Sequence, residues 1–210
     1  MTISMSNLIC VTNRSLCKED FLTRIDRLAQ MHPTAILLRE KDLSEQEYTI
    51  LAAKVLEICK TYGTTCILHN YPSAAAALDH TALHLPLPVL RTLTASDRAH
   101  FQILGASCHS ASDAIEAQAL GCSYLTAGHI FDTDCKKGRA GRGIPFLRNV
   151  CASVSIPVYA IGGIQASHLP QIQSAGAAGA CIMSSAMTCE DVSEYLSTFS
   201  CNKENTNDIS

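Results

Sequence analysis

The feature that most constrains the fold is an alternation of short apolar runs with longer amphipathic segments along the whole chain. The apolar runs have the length of strands, and most are apolar throughout, as expected for strands that are covered on both faces. Eight such runs are present, at residues 8–12, 35–39, 65–69, 82–85, 102–107, 124–127, 158–161 and 180–183. Strands that alternate with helices form βαβ units, so the pattern predicts a parallel sheet.

The segments between these runs have helical spacing. In residues 44–62, apolar side chains recur at steps of three and four, and Ser44 followed by Glu47 predicts a capping box. Residues 110–121 begin with Ser and end with Gly, which predicts another helix. Helices of the same kind are predicted at residues 21–31 and 191–199.

Eight alternating units predict an α/β fold of the (β/α)₈ TIM barrel type, for which 210 residues make a compact version. The alternative is an open doubly wound sheet, but no G-x-G-x-x-G motif follows the first strand. No linker or repeat divides the chain. We therefore expect one compact barrel domain over residues 1–200, and a disordered polar tail over residues 201–210.

The composition narrows the class of protein further. With 16 Lys and Arg against 19 Asp and Glu the net charge is −3, which argues against nucleic acid as a partner. No apolar run approaches the ~18–20 residues of a membrane span, and no secretory signal opens the chain. The eleven cysteines contain no C-x-x-C pair. This usage favours buried thiols in a reducing cytoplasm over disulfides or a zinc ribbon.

A phosphate site is predicted at the ends of the seventh and eighth strands. Gly162 and Gly163 follow one of these strands, and Met183 and Ser184 follow the other. In TIM barrels these two connections commonly hold a phosphate, because backbone N–H groups there can approach an oxyanion closely. The alternative is that the glycines only permit a tight turn.

Two cations follow the second strand. Arg39 and Lys41 point the same way on an extended chain, so they can form an anion clamp. Glu40 between them leaves open a surface cluster of ion pairs.

The longest connection is a basic, glycine-rich loop over residues 128–143. His129 follows a strand end directly, and an ordinary imidazole can both take and give a proton near neutral pH. Lys136 can neutralise an anion, and Cys135 is interpreted as a packing or loop thiol. A structural role for His129 is the alternative. No His, Cys or carboxylate spacing typical of a metal site is found.

Taken together, these segments resemble the thiamine phosphate synthase superfamily, from about residue 8 to residue 199. The similar segments are Arg39-Glu-Lys41, Asn70, His84-Leu85, Gly105-Ala-Ser107, Gly128-x-x-Phe-x-Thr133-x-x-Lys136, Ala160-Ile-Gly-Gly-Ile164 and Met183-Ser184. The resemblance implies a (β/α)₈ barrel that binds a thiazole phosphate.

Within that superfamily, the synthases join a pyrimidine pyrophosphate to the thiazole phosphate and need Mg²⁺. Their pattern has Asn-Asp after the third strand and an Asp shortly after His-Leu-Gly-Gln. Here Tyr71 follows Asn70, Pro86 follows His84-Leu85, and Leu37 replaces a Gln. Both metal carboxylates are therefore missing, so the resemblance predicts no metal site.

The thiazole tautomerase branch has a run nearly identical to residues 128–138, including the Gly-His pair. The resemblance to it implies an isomerase in thiamine biosynthesis that aromatises a carboxythiazole phosphate without a cofactor, with His129 as catalytic base. The implied substrate-binding residues are Arg39, Lys41, Asn70, Ser107, Lys136, Gly163, Met183 and Ser184. A divergent thiamine phosphate synthase and a non-catalytic thiazole phosphate-binding regulator are the alternatives. The sequence leaves homo-oligomerisation and closure of the basic loop open.

Overall fold

A computed structural model of the protein describes residues 5–133 and 138–200. Eight parallel strands close into one barrel in chain order, with the last strand hydrogen-bonded to the first. The predicted single-domain (β/α)₈ TIM barrel is therefore confirmed. The strands are β1 (Met5–Val11), β2 (Pro33–Leu38), β3 (Cys66–His69), β4 (Ala82–Pro86), β5 (Ile103–Cys108), β6 (Tyr124–Gly128), β7 (Val158–Ile161) and β8 (Gly179–Ile182).

Helices connect the strands on the outside of the barrel. The predicted capping box is present, because the Ser44 N–H donates to a carboxylate oxygen of Glu47 at 2.9 Å, and the Glu47 N–H points back at the Ser44 hydroxyl. The helices are α1 (Phe21–Gln30), α2 (Glu45–Tyr62), α3 (Pro72–Ala77), α4 (Leu87–Thr92), α5 (Ala95–Ala99), α6 (Ala111–Ala119), α7 (Gly143–Ala152), α8 (Leu169–Ser174), α9 (Ser184–Thr188) and α10 (Val192–Ser197).

Alternate side chains of the strands divide the apolar core into two layers, as the two-residue period of a strand requires. Leu8 and Cys10 of β1 belong to the larger cluster between the barrel and its helices. Ile9 and Val11 of the same strand belong to a smaller cluster inside the barrel, which also contains Tyr124. The inner cluster fills the interior of the barrel below the carboxyl ends of the strands.

The cysteines of the described residues are free thiols, and six of these nine are buried: Cys10, Cys59, Cys66, Cys108, Cys122 and Cys181. This agrees with the interpretation of most cysteines as small apolar core residues. Cys135, Lys136 and the tail over residues 201–210 lie outside the described residues. Within residues 5–133 and 138–200, no helix is long and apolar enough to cross a membrane.

Candidate active site

A cavity of about 870 Å³ opens at the carboxyl ends of the strands. TIM barrel enzymes have their active sites at this end of the barrel. Of the nine site residues predicted from the sequence, Asn70 is not part of the cavity wall and Lys136 lies outside the described residues. The structure brings the other seven together in one wall: Arg39, Lys41, Ser107, His129, Gly163, Met183 and Ser184.

Asn70 follows β3 in the left-handed region, with φ 71°. Its backbone N–H donates to the His84 carbonyl oxygen at 3.1 Å, so it extends the hydrogen bonding between β3 and β4. The substrate contact implied by the resemblance stays a prediction.

The two predicted cations, Arg39 and Lys41, follow β2 and line the cavity. The Arg39 backbone N–H donates to the Thr12 hydroxyl at 2.9 Å, and its guanidinium contacts the sulfur of Met183 at 3.9 Å. Lys41 lies on the exposed part of the same wall. An anionic group entering the cavity therefore meets two positive side chains from one strand end.

Glu40, between the two cations, is turned into the protein and is only 2% exposed. Its carboxylate accepts hydrogen bonds from the Thr12 hydroxyl at 2.6 Å and from the Arg14 backbone N–H at 2.9 Å. Burial raises the pKa of this carboxyl, while the two hydrogen bonds oppose the rise. Thr12 thus links Glu40 to the backbone of Arg39 and fixes the end of β2.

Two buried histidines form the inner part of the site. His84 bridges the Tyr124 hydroxyl, 2.9 Å from Nδ1, and the Ser107 hydroxyl, 2.8 Å from Nε2. The His69 ring stacks on it with 6.0 Å between centroids. Burial lowers the pKa of His84 to about 3. The pKa of His69 is lowered to about 2, first by burial and then by the charges of His84, Arg39 and Lys41. Both rings are therefore neutral at pH 7.

Gly162 and Gly163 follow β7 with φ 99° and 65°, a region that side chains other than glycine rarely adopt. A Cβ on either residue would also overlap the segment that follows β6, at His129 for the first and at Phe131 and Asp132 for the second. That segment is held by hydrogen bonds from the Ile130 N–H to the Ile161 carbonyl at 2.9 Å and from the Phe131 N–H to the Gly162 carbonyl at 3.0 Å. Close packing thus requires both glycines, and the phosphate role stays a prediction.

His129 lies half-buried in the cavity wall. Its Nε2 lies 3.1 Å from the Arg139 carbonyl oxygen. A carbonyl can only accept, so Nε2 of His129 is the donor in this contact. The backbone around this side chain is fixed as well, because the Arg142 N–H donates to the His129 carbonyl at 3.0 Å.

The structure adds wall residues that the sequence did not single out as binding residues. Two of them are histidines at strand ends, His69 at the end of β3 and His109 directly after β5. Asp132 is also new; its carboxylate accepts a hydrogen bond from the Gly141 N–H at 2.7 Å. The strand-end position was the available signal for the histidines, whereas Asp132 had none apart from its place in the basic loop.

The wall does not fit the Mg²⁺ that the resemblance associates with the synthases. Mg²⁺ prefers six oxygen ligands and is usually held by one or two carboxylates together with substrate phosphates. Asp132 is the one carboxylate among the described wall residues, and one of its oxygens already holds Gly141. Among the described residues, no group of three or more His, Cys, Asp or Glu side chains could hold a metal ion.

Known proteins resemble this chain over nearly its whole length. The family model described as thiamine monophosphate synthase matches residues 8–186. Thiamine-phosphate synthase 2 of Streptococcus pneumoniae is 32% identical over 91% of this chain and 92% of its own length. The thiamine-phosphate synthase of Desulfitobacterium hafniense is 33% identical over 88% of this chain and 91% of its own. The solved thiamine phosphate pyrophosphorylase of Pyrococcus furiosus superposes with a TM-score of 0.78 at 26% identity, over 93% and 94% of the two chains.

These names contradict the expected isomerase. The two relatives above are named as synthases, which are transferases, and the solved structure as a pyrophosphorylase. In the light of them the prediction of a thiazole tautomerase with His129 as its base is wrong. That prediction relied on one local run of residues, whereas the comparisons cover the strands, the helices and the cavity together. The family model covers most of the barrel, and two relatives exceed 30% identity over most of both chains. The chain belongs to the thiamine monophosphate synthase family.

Proposed function

We propose that this protein is a thiamine phosphate synthase, which joins a pyrimidine pyrophosphate to a thiazole phosphate. The observation that carries the proposal is that two anion-binding features share one cavity. Arg39 and Lys41 follow β2, Gly163 follows β7 and Ser184 follows β8, and all four line the same cavity. A reaction between two phosphorylated substrates requires this arrangement, and about 870 Å³ lies within the usual range for ligand sites.

The chemistry is a group transfer. The lone pair of the thiazole nitrogen forms a bond to the methylene carbon of the pyrimidine, and the carbon–oxygen bond breaks with its electron pair moving to pyrophosphate. No proton is transferred. The developing charge on the leaving oxygen is stabilised by Arg39 and Lys41, and the phosphate of the thiazole is held by backbone N–H groups at Gly163 and Ser184.

Holding the two substrates in one cavity also accounts for part of the rate, because it makes the bond-forming step effectively unimolecular. Ser107 lies in the inner wall and can donate a hydrogen bond to the uncharged part of a substrate. The role predicted for His129 as a proton carrier has no step in this reaction.

The test is formation of thiamine phosphate from the two substrates in the presence of Mg²⁺, followed as thiochrome fluorescence after oxidation. We expect turnover above a protein-free blank, and its loss on Lys41→Met. Lys54→Met is the matched control, because Lys54 is an exposed lysine of α2 outside the cavity wall. Binding of the thiazole phosphate without any thiamine phosphate would contradict the proposal and favour a binding protein.

A further inference from the structure

The side chains around the cavity differ from the ligands that a divalent cation needs. We infer that the side chains of Arg39, Lys41 and His69 hold the diphosphate of the substrate without a metal ion. The reaction is then independent of Mg²⁺. This inference rests on the proposed function for its reaction, but the binding of diphosphate can be tested separately.

The ends of β3 and β4 supply no carboxylate. Tyr71 follows Asn70, and its hydroxyl donates to the Leu43 carbonyl oxygen at 2.9 Å. This position therefore offers a metal ion no carboxylate. Both ring nitrogens of His84 are engaged by Tyr124 and Ser107, so no lone pair is left for a metal ion. These two strand ends present neutral groups.

Glu40, between the two cations, and Asp132, in the cavity wall, already accept hydrogen bonds from other groups of the protein. Glu40 is buried and accepts from the Thr12 hydroxyl and the Arg14 N–H. Asp132 caps the Gly141 N–H at 2.7 Å on the segment after β6. Among the described residues, a Mg²⁺ at the β2 end would therefore find mainly neutral ligands besides the substrate, which is a poor site for a cation beside two positive side chains.

The positive and neutral side chains at the ends of β2 and β3 suit the binding of an anion. His69 is 5% exposed, lines the cavity, and lies in the electrostatic field of Arg39 and Lys41. Its neutral ring can donate one hydrogen bond to a phosphate oxygen without adding a third charge. The guanidinium offers several donors in a fixed plane and the ammonium a compact charge, and both suit a diphosphate.

The first experiment measures binding of inorganic pyrophosphate by calorimetry, in EDTA and in Mg²⁺. We expect affinities within about threefold of each other, and a loss of about tenfold or more in Lys41→Met relative to Lys54→Met, since a charge-assisted contact is removed. Binding that occurs only with Mg²⁺, or equal affinities of the two variants, would overturn the inference.

Asp132→Asn gives an independent arm, because the amide oxygen can still accept from the Gly141 N–H while the charge is lost. If protein cations hold the anion, removing this negative charge strengthens pyrophosphate binding in EDTA and in Mg²⁺ alike. Weaker binding confined to Mg²⁺ would show that Asp132 carries a metal ion, contrary to the inference.

The second experiment measures thiamine phosphate formation in EDTA and in Mg²⁺. Equal rates support the inference, and product formed only with Mg²⁺ contradicts it while leaving the proposed function standing. If neither condition gives product, the proposed function fails, and the pyrophosphate titration still decides whether the cations bind the anion without metal.

Discussion

The guanidinium of Arg39 lies 3.9 Å from the sulfur of Met183, although the two residues are 144 positions apart in the chain. β1 lies between the two strands that end at these residues. The contact therefore joins the cationic end of β2 to the predicted phosphate-binding end of β8. Anionic groups bound at these two strand ends would therefore lie next to each other in the cavity.

Replacing Arg39 by Ala should reduce kcat/KM for thiamine phosphate formation about 10²–10³-fold, as expected when one donor to a developing negative charge is removed. Steady-state kinetics would measure the loss. Arg91→Ala is the control, because Arg91 forms an exposed ion pair with Glu116 at 2.7 Å outside the cavity wall. Equal kinetics for the two variants would remove Arg39 from the reaction.

Gly163→Ala should lower the free energy of unfolding by about 1–3 kcal/mol and weaken binding of the thiazole phosphate. A methyl group there overlaps Phe131 and Asp132 and displaces the segment after β6. Gly63→Ala is a closely matched control, since Gly63 has φ 64° against 65° at Gly163 but nothing lies within 4 Å of its Cβ position. Chemical denaturation would compare the stability of the two variants, and calorimetry their binding of the thiazole phosphate. Equal effects in both variants would mean that Gly163 is needed only for its backbone conformation.

Thr12→Val should cost about 1–3 kcal/mol of stability, because it leaves the buried groups of Glu40 and Arg39 without the hydroxyl that links them. It should also weaken pyrophosphate binding, since the end of β2 is no longer fixed. Thr64→Val is the control: that hydroxyl is buried too and donates to the Ala29 carbonyl at 2.7 Å, outside the cavity wall. We expect both variants to lose stability but only Thr12→Val to lose affinity; loss of affinity in both would point to a general effect on folding.

The stability of the protein should fall as the pH falls below about 6.5, the ordinary pKa of histidine. The folded state keeps His69 and His84 neutral, with pKa values of about 2 and 3, whereas the unfolded chain protonates both. Unfolding therefore takes up protons at pH values between the folded and the unfolded pKa of each histidine. Each ring adds up to ~1.4 kcal/mol per pH unit to the slope of the unfolding free energy against pH. Urea denaturation between pH 7 and pH 5 would measure the slope. His69→Gln should reduce it, and an unchanged slope would mean that His69 is protonated in the folded protein.

Much of the fold was predictable because strand length and helical period are local properties. The predicted strand over residues 158–161 coincides with Val158–Ile161, and the helix after Ser44 ends at Tyr62 as predicted. The short helices α3, α4 and α5 were not predicted, because five or six residues are too few to show a helical period. The placement of the candidate site residues at strand ends followed directly from the barrel.

The internal chemistry of the site was not predictable. Nothing in the sequence shows that His84 bridges Tyr124 and Ser107, because these contacts depend on the register of neighbouring strands. The activity was wrongly predicted for a related reason. A short run around His129 was given more weight than the rest of the barrel, although one fold accommodates different reactions at the same strand ends.

The polarity of the cavity decreases with depth, from the cations at the end of β2 to the stacked rings of His69 and His84. Lys41 is exposed and Arg39 half-buried, whereas His69 and His84 are buried and neutral, and Val11 and Tyr124 belong to the inner cluster of the core. Moving a phosphate past His69 would strip its water without providing a countercharge. A ligand is therefore oriented with its charged groups no deeper than His69 and its uncharged ring towards the barrel axis.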